Sequence, residues 1–137
     1  MSFEFSQVNW LSVFVCFVVG QVFLTLWFTV IFGEPWAKAY SPSMTKAEHT
    51  KEVPGFTYGI GALCMILLVL GLELLQLNLG VSSLSSGLSL GIFIAIFMVL
   101  STMIPGYVFL KRYNALILAA GSQFVAICII SSVLGAW

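Results

Sequence analysis

Four long apolar runs constrain the fold of this chain more than any other feature. They cover residues 8–32, 55–77, 87–110 and 114–137. Each run is longer than the roughly 20 residues with which a helix crosses a hydrocarbon core about 30 Å thick. A membrane-spanning β-strand is about ten residues long and alternates apolar with polar residues, and these runs do neither. The pattern predicts an all-α integral membrane protein, with residues 1–137 forming a single four-helix bundle.

The composition excludes two other classes of protein. Apolar residues make up 61% of the chain and charged residues 7%, and the mean hydropathy is +1.11. A soluble domain is about half apolar and about a quarter charged, so a water-soluble monomer is excluded. Five Lys+Arg balance five Asp+Glu. Because this leaves no basic face for phosphates, we expect no nucleic-acid partner.

Every lysine and arginine lies in a connection at the same end of the predicted bundle. The connection over residues 33–54 and the one after the third run share them: Lys38, Lys46, Lys51, Lys111 and Arg112. The connection over residues 78–86 carries no charge. Lysine and arginine are retained on the cytoplasmic side of a membrane. The distribution therefore predicts that both termini and the uncharged connection lie on the outer side.

The connection between the first two runs has the pattern of one or two short interfacial helices. Trp36, Tyr40 and Met44 recur every four residues, and Thr45 with Glu48 has the spacing of a capping box. Such a stripe usually packs on the membrane surface or on the bundle. A binding role for the stripe is the alternative.

Five polar side chains lie near the middle of the predicted spans: Gln21, Ser101, Thr102, Ser122 and Gln123. Amides and hydroxyls without partners are costly against lipid, so we expect these side chains to face one another inside the bundle. They would either hold the helices together or line a ligand site. Pro105 follows two of them, removes one backbone hydrogen bond and predicts a helix kink.

Glu73 is an ionisable residue inside an apolar run. It lies about one turn from the outer end of the second run, and Gln76 follows three residues later on the same helix face. No lysine or arginine lies in a run or on the outer side. Glu73 therefore stays protonated, reaches the outer interface or faces a cation from outside the chain. A cation- or proton-handling role and a hydrated interfacial position both stay open.

Small residues recur at four-residue spacing in three of the runs. The stripes are Gly55 and Gly59; Gly87, Gly91 and Ala95; and Ala115 and Ala119. They permit close helix packing within one subunit or between subunits. Besides the lipid bilayer, we therefore expect a partner: a second copy of the chain or another membrane protein.

The residue sets of common catalytic and cofactor sites are missing from the sequence. Cys16, Cys64 and Cys128 lie far apart within the runs, and the lone histidine, His49, lies in a connection. Neither a Cys-x-x-Cys motif nor an intramembrane histidine pair for haem is present. A phosphate-binding loop and a Ser/His/Asp set are missing as well. We expect no enzyme activity, no cofactor and no metal.

Three short motifs carry a family resemblance: Asn-Trp-Leu at 9–11, Phe-Gly-Glu-Pro-Trp at 32–36 and Leu-Gly-Ala-Trp at 134–137. They resemble small four-span bacterial membrane proteins of the domain-of-unknown-function 1761 family. The resemblance implies a bacterial origin, a multi-pass position in the cytoplasmic (inner) membrane and four helices. Family members often carry an aromatic-histidine pair where this chain has Ser122-Gln123-Phe124. The resemblance therefore implies no catalytic residues here.

Two functions are compatible with the sequence. The first is a structural or interaction protein that forms a homo-oligomer or an accessory subunit of a membrane complex, and the missing catalytic set favours it. The alternative is a compact cation- or proton-coupled transporter or channel. It would use Glu73 and the mid-membrane polar residues.

Overall fold

The computed structural model describes residues 4–137. Within them the protein is all-helical, with four helices long and apolar enough to span a membrane, as the sequence predicts. The helices in chain order are α1 (Trp10–Ile31), α2 (Gly33–Tyr40), α3 (Lys46–Glu52), α4 (Gly55–Leu79), α5 (Leu84–Phe109) and α6 (Tyr113–Ala136). The four candidate spans are α1, α4, α5 and α6, and the two short helices lie in the long first connection.

Short polar residues and a glycine set the ends of the spans on one side. Asn9 caps α1, because its side-chain oxygen accepts the backbone N–H groups of two residues in the first turn at 3.1 and 3.2 Å. Ser83 caps α5 in the same way, so this helix begins at Leu84 rather than at residue 87. Gly80 ends α4 with a φ of 66°, a left-handed conformation that favours glycine.

The last span is the centre of the bundle. Helix α6 packs against α1, α4 and α5, and its contact with α5 is the most extensive. Among the fully buried side chains are Val69 of α4, Cys16 of α1, and Ile127 and Ile130 of α6. These side chains form a closed apolar layer between the two ends of the molecule.

The two ends of the bundle differ in chemistry. The basic end comprises α2, α3 and the turn between α5 and α6, and it carries every lysine and arginine of the chain. The Glu73 end comprises the start of α1, the end of α4, the start of α5 and the end of α6. The side of the membrane that each end faces stays a prediction.

Helices α5 and α6 approach each other through glycines at the Glu73 end. A Cβ atom added to Gly87 would overlap the backbone oxygen of Ser131, and one added to Gly135 would lie 2.6 Å from the backbone oxygen of Ser83. Real Cβ atoms do not come so close to backbone atoms. The small-residue stripe that begins at Gly87 is therefore used for packing inside one chain.

The irregularity in α5 precedes Pro105 by one turn. The segment Ala95–Leu100 is π-helical, whereas Ser101–Phe109 is α-helical across the proline. The helix kink at Pro105 stays a prediction. A π-helical turn is wider than an α-helical one and leaves carbonyl groups free, so it absorbs the disturbance that the proline introduces.

The connection between α1 and α4 folds into a short helical pair. The predicted capping box is present: the Thr45 backbone N–H donates to Glu48 at 2.8 Å, and the Glu48 N–H donates to the Thr45 hydroxyl at 3.3 Å. The Glu34 carboxylate accepts the backbone N–H of Lys46 at 3.2 Å and so ties α2 to α3. The predicted aromatic stripe packs within this pair, with the rings of Tyr40 and His49 4.8 Å apart.

Candidate functional site

A chain of side-chain hydrogen bonds joins three spans at the Glu73 end. The Gln76 amide nitrogen on α4 donates to the backbone oxygen of Ser131 on α6 at 2.9 Å and to its hydroxyl at 2.8 Å. The Ser131 hydroxyl donates in turn to the backbone oxygen of Gly87 on α5 at 2.7 Å. Gln76 and Ser131 are both buried. This chain fixes how α4, α5 and α6 are arranged around one point.

Glu73 joins the remaining span to this point. Its carboxylate accepts the backbone N–H of Asn9, at the start of α1, at 3.3 Å. The residue is only 6% exposed, and its position relative to the membrane interface stays a prediction. Every lysine and arginine lies at the opposite, basic end. The carboxylate is therefore buried at an end of the bundle that carries no basic side chain.

The amide of Gln76 leaves one oxygen without a partner. The backbone oxygen of Ser131 only accepts hydrogen bonds, so the amide group that faces it must be the nitrogen. This fixes the orientation of the amide. Within residues 4–137, the Gln76 side-chain oxygen is buried and has no hydrogen-bond donor. A buried acceptor of this kind is costly unless something donates to it.

Glu73 and Gln76 are among the residues that line an open cavity of about 420 Å³. This volume lies within the range of roughly 300–1,000 Å³ that is typical of small-molecule sites. Trp137 also lines it, and the other polar residues on its wall are Gln7, Asn9, Ser12 and Ser82. The cavity combines one carboxylate, neutral oxygen atoms and an aromatic ring, which is the chemistry that recognises a cation.

The cavity offers a single charged ligand. In the part of the chain that the structure describes, no three His, Cys, Asp or Glu side chains come together. A divalent metal ion usually needs several carboxylate, imidazole or thiolate ligands. One carboxylate with neutral oxygen atoms instead matches a single positive charge.

Ser101 and Thr102 do not face the interior of the bundle, and this expectation is corrected. Both residues are exposed, on the surface that a bilayer covers. The Ser101 hydroxyl donates to the backbone oxygen of Phe97 at 2.7 Å, and the Thr102 hydroxyl donates to that of Met98 at 2.8 Å. The π-helical turn supplies these carbonyl groups, so the hydroxyls need no partner on another helix.

The other mid-membrane polar residues do not form a cluster either. Ser122 is fully buried, but its hydroxyl donates to the backbone oxygen of Ala119 in its own helix at 2.8 Å. Gln21 and Gln123 are half-buried, and no hydrogen bond of either amide occurs within residues 4–137. Of the polar residues singled out within the spans, Glu73 and Gln76 line one cavity together.

Sequence reasoning missed four members of the site: Asn9, Ser12, Ser131 and the Gly87–Gly135 contact. Asn9 stands directly before the first apolar run, where a helix cap is expected, and this signal places it near the depth of Glu73. Ser131 lies about two turns before the end of the last run. The second and fourth spans of an up-and-down bundle run parallel, so this depth matches that of Gln76, and comparing depths between runs indicates the pair.

Comparison with known proteins gives one match. A protein family described as "Protein of unknown function (DUF1761)" matches residues 11–135. No curated protein and no solved structure matches the chain. The matched range includes Glu73, Gln76 and Ser131, so the hydrogen-bonded centre of the site lies inside the part that the family shares.

Proposed function

The chain belongs to the DUF1761 family of proteins of unknown function, as its short motifs predict, and we propose that it binds a cation in the bacterial cytoplasmic membrane. The site is the cavity at the Glu73 end. The observation that carries the proposal is Glu73 itself, a carboxylate 6% exposed at the end of the bundle without lysine or arginine. A bound cation would supply the charge that the carboxylate lacks. The role is binding rather than catalysis.

The distribution of charge supports an orientation for this site. All five Lys and Arg residues lie at the basic end, which the positive-inside rule assigns to the cytoplasm. The cavity and both termini then face the periplasm. A membrane-impermeant thiol reagent should label Ser82→Cys in intact cells and Ser43→Cys only after permeabilisation. The reverse pattern would contradict the orientation.

The cavity favours a small organic ammonium ion over a bare metal ion. Its volume of about 420 Å³ exceeds that of a single metal ion, and its charged ligand is one carboxylate. An ammonium group donates hydrogen bonds, which the Glu73 carboxylate would accept. Trp137 lines the same cavity, and an aromatic ring attracts a positive charge by a cation–π interaction.

Thermal unfolding of the protein in lipid nanodiscs tests the proposal. A panel of primary amines, tetraalkylammonium ions, Na⁺ and K⁺ should contain organic cations that stabilise the protein, by about 2.7 kcal/mol at 100 times Kd. Glu73→Gln removes the charge but keeps the shape, so it should abolish this stabilisation. Glu52→Gln at the basic end removes one carboxylate elsewhere and should leave it unchanged. A flat response of the native protein to the whole panel would sink the proposal.

Transport of the cation is the second candidate. The cavity supports it as a place where an ion enters, but the buried layer of Val69, Ile127 and Ile130 lies between the two ends. A path would therefore need a second conformation in which this layer opens. We therefore propose cation binding as the first candidate function and transport as the second. Cation uptake into vesicles that depends on Glu73 would make transport the favoured function.

We also propose that the protein forms a homo-oligomer, through the first half of α4. Gly55, Gly59 and Gly61 have no atom within 4 Å of the place where a Cβ would stand, so this stripe is unused within the chain. Native mass spectrometry should show a dimer or larger assembly, and Gly59→Leu should shift it toward monomer. A native protein that is purely monomeric would contradict the assembly.

A further inference from the structure

Three of the five basic side chains meet at the junction of α2 and α6. Lys38, Lys111 and Arg112 line one open cavity of about 400 Å³, together with Tyr113 and Asn114. No aspartate or glutamate is among the residues that line it. Because three positive charges converge without a carboxylate, this surface is complementary to an anion.

The basic residues are held in place at this junction. Arg112 donates to the backbone oxygens of Ala39 and Tyr40 at 3.4 Å each and lies over the Tyr40 ring, 5.5 Å from its centre. Lys111 has a φ of 56°, a left-handed conformation that is uncommon for residues other than glycine. The turn therefore keeps a strained backbone that presents two consecutive basic residues to α2.

An apolar groove continues from the basic cavity. A second cavity of about 320 Å³ shares Lys38 and Asn114 with the first and extends along Ile117 and Leu118 of α6. Ile117 is 69% exposed. The groove thus leads from the basic turn at the end of the bundle along the apolar surface of a membrane span.

We propose that this combined groove binds one anionic phospholipid. Its phosphate would lie among Lys38, Lys111 and Arg112, and one acyl chain would follow Ile117 and Leu118. Basic pockets at the ends of membrane helices bind anionic lipid headgroups in this way. A free phosphate would use only the basic half, whereas a lipid uses the charge and the apolar groove together. This site lies at the end opposite Glu73 and is independent of the cation site.

Native mass spectrometry of the detergent-solubilised protein tests the site with defined lipids. Phosphatidylglycerol should be retained more strongly than phosphatidylcholine of the same chain length. Removing two basic side chains, in Lys38→Gln/Lys111→Gln, should weaken phosphatidylglycerol about 30-fold, since each cation near the membrane surface contributes about fivefold. The matched control Lys46→Gln/Lys51→Gln removes the same charge from α3, outside the groove, and should weaken it by less than about threefold.

Further variants separate folding from binding and lipid from free anion. Lys38→Arg/Lys111→Arg keeps the charge and should retain the phosphatidylglycerol preference, and circular dichroism should show helical content unchanged in every variant. Ile117→Asn should weaken long-chain phosphatidylglycerol more than a short-chain form. Equal retention of the two lipids by the native protein would overturn the proposal. So would equal losses in the two double Gln variants, or displacement of the lipid by glycerol phosphate at equal concentration.

Discussion

The two ends of the bundle differ in how the spans are joined. At the Glu73 end, side chains of α4 and α6 bond to backbone groups of α1, α5 and α6, and glycines bring α5 and α6 into contact. Toward the basic end, the hydroxyls of Ser101 and Thr102 bond to their own helix. The links between elements there are few, with Trp27 donating to Leu118 at 3.1 Å and Arg112 bonding to α2. One end is fixed by polar contacts between spans, and the other by aromatic and basic side chains.

Close backbone approach explains the difference. Where Gly87 and Gly135 let the helices touch, a carbonyl group on one span comes within reach of a short side chain on the next, such as Ser131. Toward the basic end, α1 and α5 contain π-helical segments, and the rings of Trp27 and Phe32 pack 4.6 Å apart. The comparison indicates that the contacts that hold the spans together are concentrated at the Glu73 end.

The largest expected loss of stability comes from adding a methyl group where Gly87 of α5 packs against α6. Gly87→Ala places a methyl group against the Ser131 backbone, so α5 and α6 must separate, at a cost of about 1–3 kcal/mol. Gly71→Ala is the matched control, because nothing lies within 4 Å of its added methyl group and it stands outside the stripe proposed for assembly. Unfolding free energies from steric trapping in bicelles measure both. Equal destabilisation by the two variants would contradict the inference that close contacts at the Glu73 end hold the spans together.

A smaller effect is expected from cutting the hydrogen-bond chain. Ser131→Ala leaves the Gly87 carbonyl without its hydroxyl donor and Gln76 with one acceptor fewer, at a cost of about 0.6–1.7 kcal/mol. Ser101→Ala removes an exposed hydroxyl that bonds within its own helix and should change stability by less than about 0.5 kcal/mol. The same unfolding assay applies. A larger loss of stability for Ser101→Ala than for Ser131→Ala would mean that the helices are held together more tightly in the half of the bundle nearer the basic end.

The half of the bundle nearer the basic end also has a hydrogen bond between spans, from Trp27 of α1 to Leu118 of α6. Trp27→Phe keeps an aromatic ring but removes the donor to the Leu118 backbone oxygen, at a cost of about 0.6 kcal/mol. Trp36→Phe is the control, since Trp36 packs by ring contacts with Phe28 and Tyr40. Hydrogen exchange of the last turn of α1 should rise in Trp27→Phe alone. If hydrogen exchange is unchanged in both variants, the hydrogen bond from Trp27 to Leu118 does not help to hold the last turn of α1 in place.

The smallest expected effect is the response of α3 to pH. The Thr45 backbone N–H and hydroxyl donate to Glu48 and hold the pKa of its carboxyl below the ordinary value. This contribution to the stability of α3 is complete above the ordinary glutamate pKa and is lost as the pH falls through the lowered one. Hydrogen exchange in α3, corrected for intrinsic rates, should rise over that range.

The control for this pH response is a second threonine on the same helix. Thr45→Val removes one donor to Glu48 and should move the rise in exchange to higher pH. Thr50→Val removes a hydroxyl that bonds to the Lys46 carbonyl and should leave the midpoint unchanged. If the two variants behave alike, the capping box is not the cause of the pH dependence.

Local features of the sequence predicted the spans and the central carboxylate. Length and hydropathy define a membrane helix without reference to its neighbours, and Glu73 was conspicuous as an acidic residue within an apolar run. Ser131, the partner of Gln76, is missed, because the choice of facing residues depends on how the helices pack. Ser101 was misplaced for a related reason: depth along a helix does not reveal that a hydroxyl will bond to its own backbone.

The pairing of Gln76 with Ser131 can form only after the last span has been synthesised. The two residues are 55 positions apart, and a ribosome adds about 5–20 residues per second, so α4 waits about 3–11 s for its partner. During that interval the Gln76 amide and the Glu73 carboxylate lie in a bundle that lacks its last helix. A chain that stops before Ser131 would leave the Gln76 amide nitrogen without the two acceptors that it has in the complete bundle.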